Sequence, residues 1–150
     1  MGVADRLLLL VALAAPLACI DLIVKATVPT ATWAFHHRSD AWFVFSIVLL
    51  VALVALSFVP SPAMAFAAGL MSAGVTGNLV SARANGNWVP NPLTINHGRY
   101  GLAFNLADVF FTVGNVILTV VLVTEAIRHR DKLAAPRGWE RALFGRWLGP

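Results

Sequence analysis

Four apolar runs, each close to twenty residues long, constrain this chain more than any other feature of its sequence. They cover about 7–28, 41–60, 62–83 and 104–127, and about 20 apolar residues in a helix cross the roughly 30 Å hydrocarbon layer of a bilayer. With 59% hydrophobic and 12% charged residues over 150 positions, the chain departs from soluble domains, where about a quarter of residues are charged. The expected fold is an all-α membrane protein, a four-helix transmembrane bundle over residues 1–127 followed by a basic tail over 128–150.

Charge placement orients the bundle. The formal net charge of +4 comes largely from Arg128, Arg130, Lys132, Arg137, Arg141 and Arg146, all beyond the last apolar run. That is positive-inside patterning and not a nucleic-acid surface, so the tail is expected in the cytoplasm. Four crossings then return the N-terminus, with Arg6, to the same side, and the loops after the first and third spans face outward. In the tail, Trp139, Leu143 and Trp147 recur every four residues as in an interfacial helix, although Glu140 and Arg146 interrupt its apolar face.

The first 18 residues have the outline of a secretory signal ending before Cys19. Pro16 stands three before the cysteine, however, and the apolar run continues to Val28, which favours an uncleaved first span. A lone cysteine forms no internal disulfide and is too little for a structural zinc site. Phosphate loops, Cys-x-x-Cys pairs, His-Glu-x-x-His and nucleophile elbows are missing from the sequence. Adjacent His36 and His37 point different ways and have no carboxylate or thiol to complete a ligand set. The expectation is no metal and no cofactor.

Polar residues inside the apolar runs carry the remaining information. Asp21 and Lys25 are four apart on one helix face; they read either as a self-neutralised pair reaching the interface or as part of a site. The third run is rich in Gly, Ala and Ser, which lets helix backbones approach closely and suggests a central helix. Within it Gly74, Asn78, Ser81 and Asn85 form one stripe, and Asn105, Asp108, Thr112 and Asn115 form a second on the fourth run. Two readings stand for the first stripe: interhelical hydrogen bonding as structural glue, or a site facing the second. For Asp108 the alternatives are a functional carboxylate and a helix N-terminal charge. The connection from Asn85 to Ala103 is dense in turn formers and is expected to be an irregular outer loop. Glu125 is expected to pair with Arg128 or His129.

In this order the motifs resemble the lipoprotein signal peptidase (signal peptidase II) family, four-span bacterial membrane aspartic proteases. The resemblance covers Asp21 to about Val123. It is carried by Asp21 and Lys25 in the first span, Gly77-Asn78 closing the third, and Phe104-Asn105-Leu106-Ala107-Asp108 opening the fourth. It implies a multi-pass protein of the bacterial inner membrane and a catalytic aspartate at Asp108. It also implies binding roles for Asn78, Asn105, Asp21, Lys25 and Arg83, the last one residue beyond the family's arginine position.

The dyad that the resemblance implies is incomplete, because Ser81 stands where the third-span motif has its Asp. An aspartic dyad needs two carboxylates sharing a proton, and a serine hydroxyl is no base near neutral pH. The family's acid a dozen residues beyond the Asn falls near Pro90 or Asn91, neither ionisable. The leading expectation is therefore a non-catalytic binding or accessory subunit, contacting the lipid bilayer and a membrane partner or lipoprotein-type signal segment. The alternative is an active aspartic endopeptidase in which Asp40 or Asp21 replaces the missing partner of Asp108. A transporter role has only Asp21, Lys25 and Asp108 to line a path.

Overall fold

A computed structural model describes residues 1–97 and 100–130, so most of the basic tail, including Trp139, Leu143 and Trp147, lies outside the described residues. Among the described residues, four helices are long and apolar enough to cross a membrane. They are α1 (Val3–Thr27), α2 (Asp40–Ala55, extended by a 3₁₀ turn Leu56–Phe58), α3 (Pro62–Ala84) and α4 (Leu106–Arg128). Two compact units divide the chain at Leu118. The first, Met1–Leu118, holds α1 to α3 and the opening turns of α4. The second, Thr119–Pro150, starts within α4 and carries the expected Glu125 pairs with Arg128 at 3.2 Å and His129 at 3.5 Å.

Local sequence explains the helix ends. Ser39 and Ser61 cap α2 and α3 by accepting from the amides of Trp42 and Met64, each at 3.3 Å. Pro62 occupies the first turn of α3, where its missing N–H costs nothing. At the other end of α3, Gly86 and Asn87 adopt φ of 61° and 71°, and the Asn87 amide donates to the Ala82 carbonyl at 2.8 Å. That bond closes the helix with a left-handed glycine and turns the chain back.

Helix α3 is the central element, as its small residues suggest. Nearly every residue from Met64 to Asn78 is buried, whereas α2 presents Val44, Ile47, Val48 and Val51 outward to lipid. Close approach is built on glycine. A Cβ at Gly69 would lie 3.1 Å from the Leu10 carbonyl of α1. A Cβ at Gly74 would collide with the Ala107 carbonyl and reach 2.8 Å from the Phe111 side chain, and one at Gly114 would lie 2.7 Å from Met71. At the opposite end of α1 from Lys25, Arg6 is buried and donates to the Ser57 carbonyl at 2.8 Å and the Met1 carbonyl at 2.6 Å.

The connections differ from the expected irregular loop. Strand β1 (Phe35–His37) pairs antiparallel with β2 (Trp88–Pro90), His36 opposite Val89, and β3 (Leu93–His97) pairs with β4 (Tyr100–Phe104). Strands of three to five residues are too short for alternation to stand out among turn formers. They form because backbone N–H and C=O groups near lipid need partners.

If the α3–α4 contact depends on glycine, Gly74→Ala should lower the melting temperature of the purified protein. The expected cost is about 1–3 kcal/mol from overpacking. Gly2→Ala, whose Cβ meets only Asp5 at an ordinary 3.6 Å, should leave the melt unchanged in the same circular-dichroism measurement.

Candidate functional site

The site is built where α4 begins. Asn105 caps α4 reciprocally: its Oδ1 accepts from the Asp108 amide at 3.0 Å, and Asp108 Oδ2 accepts from the Asn105 amide at 3.2 Å. The Asn-x-x-Asp spacing is thus a capping box, the helix-start role weighed for Asp108. Asp21, fully buried on α1, caps the next position by accepting from the Ala107 amide at 2.8 Å. Both carboxylates sit at the positive end of the α4 dipole.

Lys25 binds Asp21 Oδ2 at 2.7 Å and Asn78 Oδ1 at 2.7 Å, with both charged side chains buried. The pair is therefore not snorkelling but buried as part of a network. Asn78 carries it across α3: its Oδ1 also accepts from Asn105 Nδ2 at 3.0 Å, and its Nδ2 donates to Asp108 Oδ1 at 3.0 Å. Both lone pairs of its oxygen and one of its two N–H donors are used. Gly77 makes room, since a Cβ there would lie 2.6 Å from Asp21 Oδ2.

The network continues outward through Asn91, which accepts from Asn105 Nδ2 and lies 2.8 Å by its Nδ2 from His36 Nδ1. Pairing of β1 with β2 delivers His36 and Asn91 to the same end of the bundle. Neither stood out as part of this cluster in the sequence. For Asn91 the signals were its run of turn-forming Asn and Pro residues and its place near the family's further acid; for His36 there was none.

A groove of about 270 Å³ runs beside Asp108. Arg38, Asn78 and Asp108 form its polar end; Trp42, Phe45, Leu49, Val75 and Phe111 line it deeper along α2, α3 and α4. The Arg38 guanidinium packs over Trp42 at 5.1 Å, and its Nε is enclosed without a hydrogen-bond partner.

The remaining expected site residues are distributed differently. Ser81 is buried three residues along α3 from Asn78 and lines another cavity, so the structure does not bring it to Asp108. Asp40 is exposed in the first turn of α2 and does not line the groove. Arg83 stacks on the Phe43 ring at 4.1 Å, bracing α2 against α3. The two polar stripes meet only at Asn78, Asn105 and Asp108. Thr112 returns its hydroxyl to the Asp108 carbonyl at 2.7 Å, and Asn115 is exposed. Among the described residues, Asp108 is the only carboxylate that lines the groove.

Removing one partner of a buried ion pair leaves an uncompensated charge, a loss of about 3–5 kcal/mol. Asp21→Asn and Lys25→Met should each destabilise the protein by about that much. The double substitution Asp21→Asn with Lys25→Met should lose less than the sum of the two. Thermal melts of the three variants in one detergent check the coupling.

No protein-family model matches the chain, and no curated protein matches it. Among solved structures, the chain is similar to a bacterial membrane enzyme determined by the in meso method, with a TM-score of 0.63 at 20% identity. The match covers 78% of this chain and 88% of that one. The likeness is one of fold: this is a multi-pass membrane protein whose helices are arranged like those of a bacterial membrane enzyme.

Proposed function

We propose that this chain is a non-catalytic, signal-peptidase-II-like protein of the bacterial inner membrane. It holds an apolar segment, either a lipoprotein-type signal sequence or a partner's transmembrane helix, along the groove beside Asp108. The observation that carries the reading is the solitary carboxylate there. Aspartic proteolysis needs a second carboxylate to share the proton and activate water. Asp21 is committed to Lys25 and the Ala107 amide, and Asp40 stands outside the groove.

The surroundings of Asn91 support the same reading. Near Asn91, where the family has a further acid, this chain has an amide, whose Oδ1 accepts from Asn105 Nδ2 and whose Nδ2 lies 2.8 Å from His36 Nδ1. An amide supplies no base to activate water. The groove retains what binding needs: apolar walls for a hydrophobic segment and the Arg38, Asn78 and Asp108 cluster for its backbone.

The test is incubation of the purified protein with a fluorescent lipid-modified precursor peptide, following anisotropy and product together. Saturable binding with no product is expected, and no product from Asp108→Asn either. Product formed by the unmodified protein and lost in Asp108→Asn would overturn the proposal and establish a rebuilt dyad.

A further inference from the structure

The groove beside Asp108 carries two opposite charges that do not meet. Arg38 and Asp108 both line it, yet neither is in an ion pair with a described residue. Each is fixed from its own wall. The Arg38 amide donates to the Asn87 carbonyl at 2.8 Å, and its guanidinium lies over Trp42, which packs edge-on against Phe43 at 5.2 Å. Asp108 is held by the capping box of α4 and by Asn78. Lys25, on the far side of Asn78, does not neutralise it, because Asp21 already holds that ammonium.

Both charges also have hydrogen-bonding capacity to spare. A guanidinium has five N–H donors, and Arg38 Nε is enclosed without a partner. Asp108 accepts one bond at each oxygen, from Asn78 Nδ2 and the Asn105 amide, where a carboxylate accepts about four. Unpaired charges beside hydrocarbon are costly. The complement is a ligand that brings an anion to Arg38 and an N–H cation to Asp108.

The remaining walls say what that ligand is attached to. Beyond the charges they are apolar, formed by residues such as Leu49, Val75 and Phe111, and Phe45 lines the groove while 64% exposed, so its apolar length is open along α2. We propose that the groove holds a glycerophospholipid with a primary-ammonium headgroup, its phosphate on Arg38 and its ammonium on Asp108. The planar guanidinium matches paired phosphate oxygens. A primary ammonium has three N–H donors for the lone pairs left on Asp108; a choline headgroup has none, and a glycerol headgroup has no cation. The assignment does not rest on a peptide segment being held there, since a lipid is what such a segment would displace.

Anisotropy of phosphatidylethanolamine labelled on its acyl chain, added to the purified full-length protein in detergent, tests this without any peptide. Saturable binding is expected, displaced by unlabelled phosphatidylethanolamine at about tenfold lower concentration than by phosphatidylcholine or phosphatidylglycerol, and not displaced by soluble glycerophosphoethanolamine. Asp108→Asn should weaken the ethanolamine lipid about tenfold, because a charge-assisted hydrogen bond is lost, and leave phosphatidylglycerol unchanged. Arg38→Gln, which breaks no hydrogen bond to a described residue, should weaken both, because both carry the phosphate. Absence of saturable binding, equal displacement by phosphatidylcholine, displacement by the soluble headgroup, or unchanged binding in Arg38→Gln would each overturn the proposal. So would an Asp108→Asn protein that loses all three phospholipids alike, Asp108 then serving helix structure alone.

Discussion

The buried pair of Asp21 and Lys25, set against the first turn of α4, is the interaction on which the rest of this structure depends. Taking two charges from water costs several kcal/mol each, and the cost is recovered only when every remaining lone pair and proton finds a partner. Asp21 spends its second oxygen on the Ala107 amide, and Lys25 spends its second donor on Asn78. The pair thereby ties α1, α3 and α4 together at one end, and the open end of a helix dipole becomes part of its solvation.

Small residues make that arrangement possible. Gly77 lets Asp21 approach α3, Gly74 lets α4 start against it, and Gly114 holds the two together further along. In lipid no hydrophobic force drives helices together, so close packing and satisfied polar networks supply the cohesion. The Asn78 carboxamide is the junction of both. Its position in α3 is useful only because the glycines beside it bring Lys25, Asn105 and Asp108 within reach of one side chain. The same capping box that starts α4 leaves Asp108 Oδ1 beside the groove, so one residue serves helix geometry and groove chemistry at once.

Two neighbouring positions on α3 have different fates. Asn78 and Ser81 are three residues apart and share a stripe on a helical wheel, yet one sits beside the groove and the other beside the second cavity. A stripe is wide enough to serve two sides of a central helix. The absence of an acid at Ser81 therefore leaves Asp108 untouched and changes the space around Lys25 instead. The solitary state of Asp108 follows from Asn91, Asp21 and Asp40, which are respectively an amide, an ion-paired acid and an exposed acid.

Much was legible in the chain alone. Run length and composition determined four membrane-crossing helices, because a bilayer demands a nearly fixed length of apolar helix. The small residues of the third run marked α3 as central, and the resemblance grouped Asp21, Lys25, Asn78, Asn105 and Asp108 with Arg83, which instead stacks on Phe43. The strands were not legible, since pairing between Phe35 and Pro90 joins segments whose local composition describes only turns. Nor were the roles of Asn91 and His36, which depend on that pairing, or the division of α3 between groove and cavity. Residue spacing determines which side chains share a helix face. Only the tertiary structure decides what each face meets, because that depends on neighbours distant in the chain.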